Sequence, residues 1–106
     1  MAWIYLFVAG FLEISWAIGL KYSEGFTKPL PSVITIILML FSFVFLSQSL
    51  KTIPVGTGYA IWTGIGAVGT GILGIILFNE PKDFARILCL LLIVAGIVGL
   101  KILSIK

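Results

Sequence analysis

Long apolar runs alternate with short polar connections along the whole chain. Four runs are readable, at about residues 3–20, 32–50, 55–78 and 84–103. Each is long enough to cross the hydrocarbon core of a bilayer, which needs about 20 apolar residues of α-helix. The strands of a membrane β-barrel alternate apolar and polar residues, and these runs show no such alternation. The pattern therefore predicts an all-α integral membrane protein, with one domain of four transmembrane helices over residues 1–106.

Composition supports this class. Of the 106 residues, 60% are hydrophobic and only 10% are charged, whereas a soluble domain of this size carries far more charge. The net charge of +3 comes from basic residues near the ends of the runs, which suits lipid headgroups and not nucleic acid. The first run has neither a basic leader nor a small-residue cleavage site, so no signal peptide is expected. We expect a multi-pass membrane protein.

The basic residues give almost no preference for one orientation in that membrane. Four lie on the side of the first and third connections and three on the other side: Lys21, Lys28, Lys82 and Arg86 against Lys51, Lys101 and Lys106. The positive-inside rule needs a clearer excess to set a direction. Either one orientation is weakly preferred, or copies insert both ways and pair as an antiparallel, dual-topology dimer, which is the interpretation that we favour.

One acidic residue interrupts the first run. Glu13 lies near the middle of that run, where a charge costs about 2.5 kcal/mol or more. Lys21, the nearest basic residue of the segment, is about 12 Å away along a helix axis, too far for an internal ion pair. We therefore expect the empty carboxyl group to hold a proton, because burial disfavours its charged form. A small cation would displace that proton, which predicts exchange of protons for a cation.

Two residues share the predicted helix face of Glu13. Gly10 precedes it by three positions and leaves a gap, and Trp16 follows it by three positions and supplies an indole. A guanidinium ion fits such a site, because it is planar, donates paired hydrogen bonds to a carboxylate and stacks on an aromatic ring.

Polar groups on two other helices are predicted at a similar depth. Ser42 and Trp62 lie about 12–15 Å from the same membrane face as Glu13. Tyr59 lies on the same predicted face of the third helix as Trp62. The O–H and N–H groups of these aromatic residues need hydrogen-bond partners in an apolar interior, and Glu13 is the strongest acceptor available.

Small residues mark two further features. The third helix carries Gly64, Gly66 and Gly69, which indicate either a functional hinge, the interpretation that we favour, or close helix packing. The fourth helix carries an edge of small residues suited to dimerisation: Ala95, Gly96 and Gly99. Cys89 is expected only to pack. Since the chain has no histidine and one cysteine, we expect no metal site and no cofactor.

Several segments together resemble the small multidrug resistance family, and the resemblance covers essentially the whole chain. They are AGFLEISW, LKYSEGFT, PSVIT and IPVGTGYAIWTGIG, at residues 9–16, 20–27, 31–35 and 53–66. Gly10 and Trp16 around the glutamate resemble the guanidinium-exporter subtype. Gly58 departs from the alanine that is usual in the family. A glycine at this position would loosen the third helix and widen the substrate range.

The resemblance implies an antiparallel homodimer of four-helix subunits in a prokaryotic cytoplasmic (inner) membrane. Such a dimer would export guanidinium ions, with protons entering in exchange, and would have no enzyme activity. The roles of the family's residues carry over by position to this chain. Glu13 of both subunits would bind the proton or the substrate, and Trp16 and Trp62 would line the site. Ser42 and Tyr59 would hydrogen-bond the two copies of Glu13.

Three alternatives stay open. A broader exporter of multidrug or quaternary ammonium cations would also use aromatic residues beside a carboxylate. A proton-conducting subunit of a larger ring would use Glu13 as a proton carrier, although such subunits usually need only two helices. An accessory membrane protein would use Glu13 as an assembly contact.

Overall fold

The structure, a computed structural model that describes residues 1–105, is built from four α-helices within that range. They are α1 (Ala2–Tyr22), α2 (Pro29–Ser49), α3 (Val55–Phe78) and α4 (Phe84–Ile105). All four are long and apolar enough to cross a membrane. The predicted fold class of four membrane-spanning helices is therefore confirmed.

The second helix begins about three residues earlier than predicted. Pro29 and Pro31 lie in its first turn, whereas the sequence pattern placed them in the preceding loop. Proline is tolerated there, because the first N–H groups of a helix have no partner within the helix.

The four helices form a flat body of about 45 × 35 × 16 Å. A helix with its side chains is about 10–12 Å across, so 16 Å is little more than one layer of helices. The α1 helix packs against both α2 and α3, and within residues 1–105 the backbone of α4 approaches only that of α3.

This flatness leaves the subunit with a small core of its own. The buried apolar side chains lie where α1, α2 and α3 meet, and they are Leu6, Ala9, Leu46, Ile53, Ile61 and Trp62. Most of the large apolar residues of α2 and α4 are exposed. Both broad faces of the body are thus open to lipid or to a second subunit.

Candidate functional site

Glu13 is partly buried on the side of α1 that faces α3. Its carboxyl group lies against Gly66, where an added Cβ atom would come within 2.8 Å of Glu13 Cγ. Oε1 of Glu13 is buried and has no hydrogen-bond partner within residues 1–105. The ion pairs in that range, Lys28–Glu24 and Arg86–Asp83, both lie outside the apolar interior. The carboxyl group therefore has a free acceptor atom and no internal counter-ion.

Trp16 provides an unused donor on the same face of α1. Its Nε1 is buried and, like Oε1 of Glu13, has no partner in the described part of the chain. The indole ring meets Phe43 of α2 edge to face, with ring centroids 6.2 Å apart. An unpaired acceptor and an unpaired donor thus lie about one helical turn apart.

Ser42 and Trp62 join the three central helices through hydrogen bonds. Nε1 of Trp62 donates to Oγ of Ser42 over 3.1 Å, and that hydroxyl donates to the backbone oxygen of Ala9 over 2.8 Å. The partner of the Trp62 N–H group is therefore Ser42, and not Glu13 as the sequence suggested. The two residues hold α1, α2 and α3 in register beside the carboxylate.

Four aromatic side chains form a row that leads from the exposed Tyr59 to Trp16, by way of Trp62 and Phe43. Tyr59, whose side chain is exposed, packs on Trp62 with centroids 5.6 Å apart. Trp62 packs on Phe43 at 5.7 Å, and Phe43 in turn reaches Trp16. Together with neighbouring residues, Tyr59, Trp62 and Phe43 line a cavity of about 390 Å³. The structure brings the predicted aromatic residues together through Phe43.

Sequence reasoning missed Phe43. Its neighbours Phe41 and Phe45 belong to the same apolar run, and nothing in their spacing distinguishes one phenylalanine from the others. The one available signal was its position directly after Ser42, which places it at the predicted depth of the site.

The gap expected beside Gly10 is filled. A Cβ atom at Gly10 would come within 2.7 Å of the Ile65 side chain, so this glycine allows α3 to approach α1 closely. Gly10 thus supports the site through packing, and Ile65 takes the space beside it.

The three glycines predicted as a hinge or as packing positions all lie in close contacts. Gly64 faces Ile97 of α4, Gly69 faces Ile14 of α1, and Gly66 faces Glu13. The α3 helix runs without interruption through these positions. Packing is thus their observed environment, and bending at this point stays a prediction.

The small-residue edge of α4 is uncovered. Ala95 and Gly96 are exposed, and apart from the adjoining backbone of α4 no atom of the described residues lies within 4 Å of a Cβ atom built at Gly96 or Gly99. Cys89, which was expected to pack, is also exposed on this helix. The edge is available to a second helix, and its role in dimerisation stays a prediction.

Comparison with known proteins points in the same direction. Residues 1–93 match the family described as Small Multidrug Resistance protein. A protein of Proteus vulgaris named guanidinium exporter is 60% identical over 104 residues, which cover 98% of this chain and all of the relative. Proteins with the same name from Yersinia pseudotuberculosis serotype I (strain IP32953) and Citrobacter freundii are each 59% identical, over 98% and 96% of this chain and 100% and 97% of the relative.

Proposed function

Because the chain belongs to the small multidrug resistance family, we propose that it exports guanidinium ions by proton-coupled antiport, with Glu13 exchanging a proton for the substrate. It is a transporter and not an enzyme, and it is a multi-pass protein of the bacterial inner membrane. The predictions of family, transporter class and location are thereby confirmed. Relatives named guanidinium exporter support guanidinium as the exported ion.

The free carboxylate oxygen of Glu13 carries the proposal. A buried carboxylate without a counter-ion is unstable in an apolar medium, so it binds either a proton or a cation. Both bind the same oxygen atoms, and each therefore excludes the other. This competition couples export of the cation to entry of protons.

The surroundings of Glu13 suit a guanidinium ion. Its parallel N–H groups can donate to the carboxylate, and its flat face can stack on the indole of Trp16. The hydrogen bonds between Ser42, Trp62 and Ala9 hold the indole of Trp62 in a fixed position, so a substrate would meet a group that is already in place. Tyr59 is exposed at the edge of the row and is available to a substrate or to a second subunit.

An antiparallel homodimer would complete the site. One subunit is little more than one helix layer thick and leaves its broad faces open. A second copy on such a face would add a second Glu13, so that one cation could exchange for up to two protons. With the subunits in opposite orientations, the inward-open and outward-open states would be nearly equal in energy, as alternating access requires.

A broader cation specificity is the second candidate. The cavity of about 390 Å³ beside Tyr59 and Trp62 is far larger than guanidinium and is largely aromatic and aliphatic. It would accept the apolar substituent of a substituted guanidinium, or a quaternary ammonium ion.

Proton release tests the proposal directly. Guanidinium is added to purified protein in weak buffer near neutral pH, and the protons released are followed with a pH dye. We expect release from the wild type and none from Glu13→Gln, because the amide holds no exchangeable acid proton. Release from Glu13→Gln equal to the wild type would refute antiport through this residue. Tetraethylammonium in place of guanidinium separates the narrow specificity from the broad one.

A further inference from the structure

A second cavity, of about 410 Å³, lies between α1 and α3, near the ends of these helices that meet the first and third connections. None of the residues assigned above to the substrate site lines it. Small and apolar residues form most of its wall, namely Ala17, Ile18, Ala67, Gly71, Gly74 and Phe78. Thr70 also lines it, but the hydroxyl oxygen of Thr70 is buried and presents no polar surface to the cavity. The interior therefore suits a hydrocarbon chain better than water or a small ion.

The cavity is about as deep as one leaflet of a bilayer. Its wall on α3 runs from Ala67 to Phe78, a rise of about 17 Å along the helix axis. Half of a hydrocarbon core is about 15 Å thick. Phe78 lies 5.5 Å from the ring of Tyr22 and 5.6 Å from Nζ of Lys21, measured from its ring centroid. Because aromatic and basic residues gather at the headgroup level, the mouth of the cavity lies at that level and its depth matches one acyl chain.

The mouth carries one charge of each sign. Lys21 lies in the last turn of α1 and is exposed. On the α3 side, Asn79 adopts the left-handed conformation, with φ of 52°, and the N–H group of Glu80 donates to the oxygen of Gly74 over 3.3 Å. A Cβ atom at Gly74 would lie 2.8 Å from Cδ of Glu80. The turn thus folds the Glu80 carboxyl group back against α3, beside the cavity.

These two charges line the same cavity without pairing. The ion pairs found within residues 1–105 involve neither Lys21 nor Glu80. An anionic headgroup would be attracted by the ammonium group and repelled by the carboxylate, so the two effects would largely cancel. A headgroup that carries both a phosphate and an ammonium group complements both residues.

We propose that this cavity binds one acyl chain of a zwitterionic phospholipid with a primary amine, phosphatidylethanolamine, whose phosphate accepts from Lys21 and whose ammonium group donates to Glu80. Both contacts are charge-assisted hydrogen bonds. Lipid tails are as apolar as the side chains around them, so the acyl chain contributes shape and the headgroup supplies the preference. The proposal does not depend on which ion the protein exports or on how export is coupled.

A comparison of lipids on the wild-type protein is the first test. Full-length protein in detergent is titrated with phosphatidylethanolamine, phosphatidylcholine or phosphatidylglycerol, and native mass spectrometry gives the apparent Kd of each. We expect phosphatidylethanolamine to bind about fivefold more tightly than the other two, with one lipid per subunit. Phosphatidylcholine has no ammonium N–H group, and phosphatidylglycerol has no cation. Equal binding of the three, or tighter binding of phosphatidylglycerol, would overturn the proposal.

Two variants separate the headgroup contacts. Lys21→Gln should weaken phosphatidylethanolamine and phosphatidylcholine alike, because both carry the phosphate. Glu80→Gln should weaken phosphatidylethanolamine more than phosphatidylcholine, and it should strengthen phosphatidylglycerol because a repulsive charge is lost. Lys51→Gln removes an exposed lysine at the second connection and should match the wild type. Wild-type lipid affinities in both Lys21→Gln and Glu80→Gln would contradict the assigned contacts.

A matched pair of variants tests the site of the acyl chain. Ala67→Phe fills the end of the cavity far from its mouth and should weaken phosphatidylethanolamine about tenfold through overlap with the chain. Ala60→Phe adds the same ring at another exposed position of α3, outside the cavity, and should leave the Kd unchanged. Equal affinities of these two variants would place the lipid elsewhere. If Ala67→Phe does not fold, the comparison of lipids on the wild type still decides.

Discussion

The carboxyl group of Glu13 on α1 occupies the space that a side chain at Gly66 of α3 would need. This contact fixes the distance between the two helices at the depth of the site. It also gives Gly66 a specific role, because any larger residue there would displace the carboxylate.

Gly66→Ala should therefore impair transport more than folding. The new methyl group would overlap the Glu13 carboxyl group, which must rotate away from α3 and from its position beside Trp16. We expect guanidinium-driven proton release to fall about tenfold or more, because a small displacement of a positioned group has a large effect on rate. Release from liposomes measures it, and size-exclusion chromatography checks the fold.

Gly56→Ala is the matched control. Gly56 lies on the same helix, and outside its own stretch of helix no atom of the described residues lies within 4 Å of a Cβ atom built there. Equal activity of the two variants would contradict the role assigned to Gly66.

The four spans and the central carboxylate were predictable from the sequence. Length and polarity decide whether a segment crosses a bilayer, and an acidic residue inside such a segment is rare enough to mark a site. Gly66 was also found, although as a candidate hinge and not as the position that makes room for Glu13.

The partners of these residues were not predictable. Ile65 fills the space beside Gly10, and Ser42 accepts from Trp62, because each helix is rotated to a particular angle about its own axis. Helices that are apolar on all sides carry little periodicity, so their sequences do not reveal that angle. The dimer depends on contacts outside one subunit, and its arrangement stays a prediction.

The hydrogen bond between Trp62 and Ser42 should stabilise the subunit. Ser42→Ala removes the acceptor of the indole N–H group and the donor to Ala9, and it leaves a buried polar group unpaired. We expect a loss of about 0.6–2 kcal/mol in unfolding free energy, the range for hydrogen bonds between membrane helices. Titration from mild detergent into dodecyl sulfate measures it.

A double-mutant cycle with Trp62→Phe separates this bond from general packing. Once the indole N–H group is gone, Ser42→Ala should cost less than it does in the wild type. Ser49→Ala is the control, since that buried serine bonds the oxygen of Leu46 in its own helix. Additive effects of the Ser42 and Trp62 changes would show that the bond contributes nothing.

The contact between Gly10 and Ile65 predicts a compensating pair. Gly10→Ala places a methyl group within 2.7 Å of the Ile65 side chain and should push α1 and α3 apart. We expect a loss of about 1–3 kcal/mol from overpacking, measured by the same titration. Ile65→Ala should cost less in the Gly10→Ala background than it does alone, because it removes the overlap. A double variant that is no more stable than the sum of the single changes predicts would show that the assigned contact is wrong.

The open edge of α4 predicts the effect of a large residue on assembly. Beyond the neighbouring turns of α4, the described part of the chain places no atom within 4 Å of a Cβ atom at Gly96, so Gly96→Trp should leave the isolated subunit intact. If a second copy packs there, the indole would separate the two backbones and shift the equilibrium toward monomers. Cross-linking in liposomes over a range of protein-to-lipid ratios measures this shift.

Val94→Trp provides the comparison on α4. Val94 is also exposed, but it lies about 160° around the helix from Gly96 and so faces a different direction. We expect this variant to dimerise like the wild type. Because both variants add the same side chain to the same helix, only a difference between them locates the interface. Equal dimerisation of the two would place the interface away from the small-residue edge, and the second Glu13 of the proposed site would then have to approach across another face of the subunit.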